Sequence, residues 1–135
     1  MHNYLQTPAG LHDRNVGSGS LYSHVVVAKP GDIVFVSGQL SRNAAGDVVG
    51  GGDMAAQIEQ VVTNLQLALA AAGATLDDVA KTTTYTTDID LYFQHVGTRM
   101  KFFTKGLPTS TTIQVARLSN PQFLVEIDAV AVIGG

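Results

Sequence analysis

"FLVEIDAVAVI", residues 123–133, is apolar at both parities of a strand except for two carboxylates. In an extended chain alternate side chains point to opposite faces. Val125, Ile127, Ala129 and Ala131 therefore share one face, and Leu124, Glu126, Asp128, Val130 and Val132 the other. "VVVA" (25–28) and "IVFV" (33–36) are also apolar at both parities. Strands of this kind belong to a sheet covered on both faces.

Working outward, the other elements supply one of those covers. Asp53 suits the N-cap of a helix from about Met54 to Ala72, with Ile58, Val61, Val62, Leu65 and Leu69 on one stripe and Gly73 as its stop. Asp90 is the expected cap of a second helix, which turns Tyr92, Val96, Met100 and Phe103 inward and is weakened by Gly97. "KTTTYTTDI" (81–89), rich in Thr and Tyr, reads as a strand between them. "HVVVAKPGDIVFVSGQL" (24–40) reads as a hairpin turning at Lys29-Pro30-Gly31-Asp32. Two final strands, "STTIQVARL" (110–118) and "QFLVEIDAVAVIG" (122–134), are separated by Ser119-Asn120-Pro121. The order β-β-α-β-α-β-β predicts an α+β fold: one mixed sheet with two helices packed on one face. Two helices leave the other face bare, and a second copy of the chain is the expected cover, making a homo-oligomer.

Length and composition fit this picture. The 135 residues make one domain by length, with residues 1–20, ending in "GSGS", as an N-terminal arm with room for one short strand and residues 21–135 as the domain. Hydrophobic residues are 45% and charged residues 14%, so one copy has little charge with which to cover its surface. A net charge of −3, with no run of Lys or Arg, gives nucleic acid no electrostatic footprint. The absence of cysteine removes disulfides, thiol catalysis and thiolate zinc sites. The first residues lack the pattern of a signal peptide, and no apolar run approaches the ~20 residues that span a bilayer. A soluble, cytoplasmic protein with no membrane partner is the expectation.

Polar residues that interrupt apolar rows are the candidate functional groups. Glu126 and Asp128 break one row. Ser37 and Gln39 share a parity with Ile33 and Phe35, and strict alternation puts Arg117 on the row of Ile113 and Val115. Buried without partners, such groups cost several kcal/mol each, so each calls for a partner or a ligand. Each also has a structural reading. Arg117 can be an exposed residue or the partner of Glu126 or Asp128, Ser37-Gly38 a bulge, and Tyr22 a strand-edge aromatic. The four histidines, His2, His12, His24 and His95, have no ligand spacing, so no metal site is expected. "VVGGGDMAAQ" (48–57) lacks the lysine of a phosphate loop, and Ser37 lacks the elbow of a serine hydrolase.

"VFVSGQL" (34–40), "AAGATLDDVAKTTTYTTDID" (71–90) and above all "QVARL" (114–118) joined to "VEIDAVAVI" (125–133) resemble the RidA family of reactive-intermediate deaminases, also called YjgF. The likeness runs from about Tyr22 to Ile133. It implies a chorismate-mutase-like fold, a homotrimer with clefts between subunits, and hydrolysis of enamines and imines of the 2-aminoacrylate type to a 2-oxo acid and ammonia without a cofactor. By the same resemblance the arginine of "VAR", Arg117, grips the substrate carboxylate, and Glu126 handles water or substrate. Tyr22, Ser37 and Gly38 line the cleft. A non-catalytic trimer binding a small carboxylic metabolite is the alternative, and a ribonuclease role is disfavoured by the acidic charge. The chain departs from the family pattern at Leu21 (usually Pro), His24 (often Gln), Asp90 (often Asn), and Thr109-Ser110, where many members carry Ala-Arg. These departures bear on substrate range rather than on fold.

Overall fold

The computed structural model describes residues 2–17 and 19–134. Its strands are β1 (Asn3–Leu5), β2 (Asn15–Val16), β3 (Gly19–Ser20), β4 (Val25–Val27), β5 (Asp32–Gln39), β6 (Val79–Thr86), β7 (Thr109–Gln114) and β8 (Val125–Ile133). The helices are α1 (Met54–Ala71), α2 (Ile89–Gln94) and α3 (Val96–Met100), with a 3-10 turn at Leu76–Asp78. The main sheet has the order β5-β8-β6-β7. Strand β8 runs antiparallel to β5 and β6, and β6 runs parallel to β7, so the sheet is mixed. The parallel pair needs a crossover, which α2 and α3 provide.

The first helix forms where the sequence places it. The Asp53 carboxylate accepts from Ala56 N at 3.0 Å, and Gly73 adopts φ +76°, a conformation that suits glycine at a helix end. Ile58, Val61, Val62, Leu65 and Leu69 are fully buried. Each such side chain contributes about 1.5–3 kcal/mol by leaving water. They pack on Val125, Ile127, Ala129 and Ala131, all buried on the helix side of β8.

The second helical region differs from the sequence reading in two ways. Its cap is Asp88, whose carboxylate accepts from Leu91 N at 3.0 Å, and Asp90 sits in the first turn instead. The helix also breaks at His95 into α2 and α3. There His95 N bonds Tyr92 O and Thr98 N bonds His95 O, both at 3.0 Å. These three-residue spacings tighten the junction beyond α geometry. Tyr92, Val96 and Phe103 are buried as expected, but so is Arg99, at 2% exposure. Its guanidinium donates to Thr82 Oγ1 (2.7 Å), Thr84 Oγ1 (3.0 Å) and Tyr92 Oη (3.4 Å), and lies 5.1 Å from the Phe103 ring centre. The threonines of β6 thus serve a buried cation on their helix-facing side.

The hairpin expected at 24–40 does not form. Strand β4 pairs with β1 of the arm, Val26 opposite Tyr4, while β5 pairs with β8. The reason lies in the turn. Lys29 N donates to His2 Nδ1 (3.2 Å), Pro30 has no N–H, and Gly31 is pressed against the Ile133 carbonyl with no room for a side chain. The segment therefore carries the chain from one sheet to the next. The arm itself is tied down: Tyr4 Oη donates to Asp77 O (3.0 Å) and the His2 ring bonds Asp78 O (2.8 Å). It holds three short strands, β1 to β3, where one was expected.

The helix-free face of the sheet is bare within one chain. Ile33 is 60% exposed, Phe35 78% and Ile113 42%. Ile33 and Phe35 stand opposite Val132 and Val130 of β8.

Candidate functional site

Strand β5 is bulged between Val36 and Gln39: Val36 pairs with Ala129 and Gln39 with Ile127. Ser37 and Gly38 together therefore oppose Asp128, the two-against-one count of a β-bulge. The extra residue moves Gln39 opposite Ile127, on the helix-side row, and not onto the row of Ile33 and Phe35 that strict alternation assigns to it. Ser37 remains exposed. Gly38 lies so close to the Glu126 carboxylate that a Cβ at position 38 would overlap it.

Glu126 projects from β8 on the bare face, directly opposite Tyr85 of β6. Partial burial is the main cause that raises its carboxyl above the ordinary carboxylate range, and the nearby Asp128 charge adds to it. Asp128 accepts from Tyr85 Oη at 3.2 Å, and its charge is the main cause that holds the phenol above its usual value. The chain thus assembles a carboxyl with a raised pKa, a neighbouring carboxylate and a phenol, at the margin of the bulge. A cavity of about 490 Å³ has Gly38 of the bulge in its wall together with Arg42, Asn64 and Leu67, while Glu126, Asp128 and Tyr85 do not line it. Its loop is held by Asn64, which donates to Leu40 O (2.9 Å) and Arg42 O (3.0 Å).

The other two predicted site residues lie outside this group. Strand β7 ends at Gln114, so Arg117 falls beyond the regular strand, and the row it was expected to continue stops short of it. Its side chain is exposed, donating to Leu118 O (3.1 Å) and Ser119 O (3.5 Å), with neither Glu126 nor Asp128 as an ion-pair partner. Tyr22 sits between β3 and β4 rather than in a strand, its ring 5.2 Å from that of His24 in an edge-on contact. It lines a second cavity, of about 210 Å³, together with Arg14, Phe93, Ser110 and Thr112. Arg117 lines neither cavity, and neither Tyr22 nor Arg117 shares a hydrogen bond with the Glu126 group.

The sequence reading missed Tyr85 and Arg14. Tyr85 could have been found by parity, since β6 carries it on the row of Lys81 and Thr83, facing the row of Glu126 and Asp128. Arg14 stands in a segment without period, and no pattern marks it.

Residues 15–133 match the family model described as endoribonuclease L-PSP. Protein DfrA of Myxococcus xanthus is 35% identical over 111 residues, which cover 82% of this chain and 84% of that protein. The 2-iminobutanoate/2-iminopropanoate deaminase of Escherichia coli K12 is 33% identical over 106 residues, 76% of this chain and 80% of that one. Among solved structures, YyfB from Yersinia pestis, a Rid-family protein of unknown function, superposes with a TM-score of 0.76 at 33% identity, covering 84% of this chain and 87% of its own.

Proposed function

This chain belongs to the endoribonuclease L-PSP family, with the chorismate-mutase-like α+β fold of the Rid proteins, and on that premise we propose that it hydrolyses small enamines and imines derived from amino acids to 2-oxo acids and ammonia. The observation that carries the proposal is the Glu126 carboxyl, raised by burial and set against Gly38 where no side chain intervenes. The 33% identity to a 2-iminobutanoate/2-iminopropanoate deaminase supports the same chemistry.

In the reaction, an enamine first tautomerises to the imine, and water adds to the carbon of the N-protonated C=N while Glu126 takes a proton from it, giving a neutral carbinolamine. The proton held by Glu126 then passes to the nitrogen, the C–N bond breaks to release ammonia, and the hydroxyl proton returns to Glu126 as the C=O forms and is lost from there to solvent. A carboxyl whose pKa is raised by burial holds its proton more readily, which favours its handing that proton on. Orientation requires a cation for the substrate carboxylate. Arg117 has five N–H donors and commits two of them to carbonyls of its own loop, so it can receive a carboxylate where a neighbouring copy completes a cleft over it. The bare face with Phe35 and Ile33 is the surface for that copy, and a homotrimer is the assembly proposed. Ammonia release from enzymatically generated 2-iminobutanoate tests the reaction: wild type accelerates it and Glu126→Gln does not. Equal rates with and without the protein would sink the proposal.

A second reading, a binding module for a small carboxylic metabolite, is favoured by the placement of Arg117 outside both cavities and of Ser110 within one. Thermal stabilisation by 2-oxobutanoate, with no faster imine decay, selects it.

A further inference from the structure

We propose that Tyr85 is a positioning residue for Glu126: its ring, tied through the hydroxyl to Asp128, forms the wall that holds the Glu126 carboxyl against Gly38. The inference rests on the deaminase reading only in taking Glu126 as the group that works.

The register sets the arrangement. Strands β6 and β8 pair antiparallel with Tyr85 directly opposite Glu126 and Thr83 opposite Asp128. Directly opposed side chains of an antiparallel pair have Cβ atoms about 4.5–5.5 Å apart, so Tyr85 and Glu126 start as neighbours on the helix-free face. The Tyr85 hydroxyl donates to Asp128 Oδ2 at 3.2 Å, and Asp128 lies two residues beyond Glu126 on β8. A ring that starts opposite Glu126 and ends at Asp128 crosses diagonally between the strands and flanks the Glu126 side chain. The other flank is Gly38, whose missing Cβ leaves the space that the carboxylate fills.

Glu126 needs such a wall. A glutamate is among the side chains that lose most freedom on being held in one conformation. The ion pair found among the described residues joins Lys105 and Asp77, so among them no cation clamps the Glu126 carboxylate. On the helix-free face β8 contributes Asp128, and β6 contributes Tyr85 and Lys81. Lys81 stands opposite Val130, about 13 Å along the strand from Tyr85. Strands β5 and β7 turn only apolar and hydroxyl side chains to that face, and Arg117 bonds its own loop. The Asp128 charge first, then burial, and last the Glu126 charge hold the phenol above its usual value, which keeps the proton that makes the tie. Burial is the main cause that raises Glu126, and the ring beside it is part of that cover.

The chain has two glutamates, Glu59 and Glu126, so labelled glutamate gives two side-chain carboxyl signals in an NMR titration, and Glu126→Gln removes one. Glu59 is exposed on α1, and its signal should not move between variants. Tyr85→Ala, which removes the wall, is expected to move the Glu126 midpoint to lower pH, toward the ordinary carboxylate range. Tyr85→Phe keeps the ring and cuts its tie, so its midpoint should fall between those of wild type and Tyr85→Ala. In ammonia release Tyr85→Ala should lower kcat about tenfold with KM within about twofold, because the ring acts through Glu126 and not on the substrate. Its acid limb should move with the midpoint. Should Tyr85→Ala differ from wild type in native mass or melting temperature, Tyr85→Phe carries the test alone, by the same downward move. A Glu126 midpoint unchanged in the variant that carries the test, or a KM that rises while kcat holds, would overturn the role. The titration needs no activity, so the two readings fail separately. A lowered midpoint, in a protein whose wild type releases no ammonia, upholds the positioning and sinks the deaminase. A wild-type midpoint and kcat in Tyr85→Ala, with Glu126→Gln inactive, does the reverse.

Discussion

Gly38 and Glu126 fix what the candidate site can do at the scale of single residues. A methyl group at position 38 would occupy the space of the Glu126 carboxylate, which is the far end of a flexible side chain. Gly38→Ala is therefore expected to cost little stability, about 1 kcal/mol, while turning Glu126 away from its position. Ammonia release should fall by at least about tenfold with a nearly unchanged melting temperature. The pH profile reads the same residue differently. Glu126 must be ionised to accept a proton from water, and burial first, then Asp128, raises its pKa. The acid limb of kcat/KM should thus lie above the ordinary carboxylate range, and Asp128→Asn should move it to lower pH by removing the lesser cause. Stability has the opposite sign. A carboxyl raised in the folded state binds its proton more tightly there than in the unfolded chain. Its contribution to stability is fully present below the unfolded pKa and is lost as pH rises through the raised folded value. Denaturant titrations of wild type and Glu126→Gln should show this part of the pH dependence only in wild type. Glu126 was legible because a carboxylate in an apolar row stands out against period two. Arg14 was not, because only a folded arm brings it to Phe93.

Single elements were legible to the extent that their signals were local. Helix α1 has its cap, its stripe and its glycine stop within about twenty residues, and all three act where the sequence puts them. The sequence reading put the cap of the second helix at Asp90, and side-chain geometry at Leu91 N, invisible in a one-dimensional pattern, places it at Asp88 instead. The strand "HVVVA" carried the right propensity but the wrong partner, because pairing of β4 with β1 is settled by the arm. Arg99 was masked for a related reason. A cation on an inward stripe looks like a break in the stripe until Thr82, Thr84, Tyr92 and Phe103 are seen to receive it. This cluster joins α3 to β6, and its worth is measurable. Arg99→Ala removes a large buried side chain, takes the donor from Thr84 Oγ1 and leaves Thr82 Oγ1 only its bond to Thr109 O, so a loss of about 2–4 kcal/mol is expected in denaturant titration. Arg99→Met, which refills the space without a charge, should recover much of it. Equal destabilisation by both would show that the hydrogen bonds dominate and the volume matters little.

For the whole molecule the open question is the face without helices. Its apolar character was readable from strands that are hydrophobic at both parities, and the fold leaves Phe35, Ile33 and Ile113 on it. What the single chain could not disclose is how another copy meets that face, since a shared surface is defined by shape and not by period. The exposure itself makes the question decidable. Phe35 is 78% exposed, so it contributes almost nothing to the core of its own subunit. A polar replacement there leaves the subunit's folding energy nearly untouched. In an oligomer that buries this face the same ring is worth about 1.5–3 kcal/mol per copy, and a buried charge in its place costs more. Phe35→Glu is therefore expected to give a folded monomer by native mass measurement and far-ultraviolet circular dichroism, where wild type is expected to give the proposed trimer. Because Arg117 lines no cavity of the single chain, the monomer should also lose any ammonia release that depends on a cleft between copies. A wild type that is itself monomeric, or a Phe35→Glu variant that remains a trimer, would refute this use of the face.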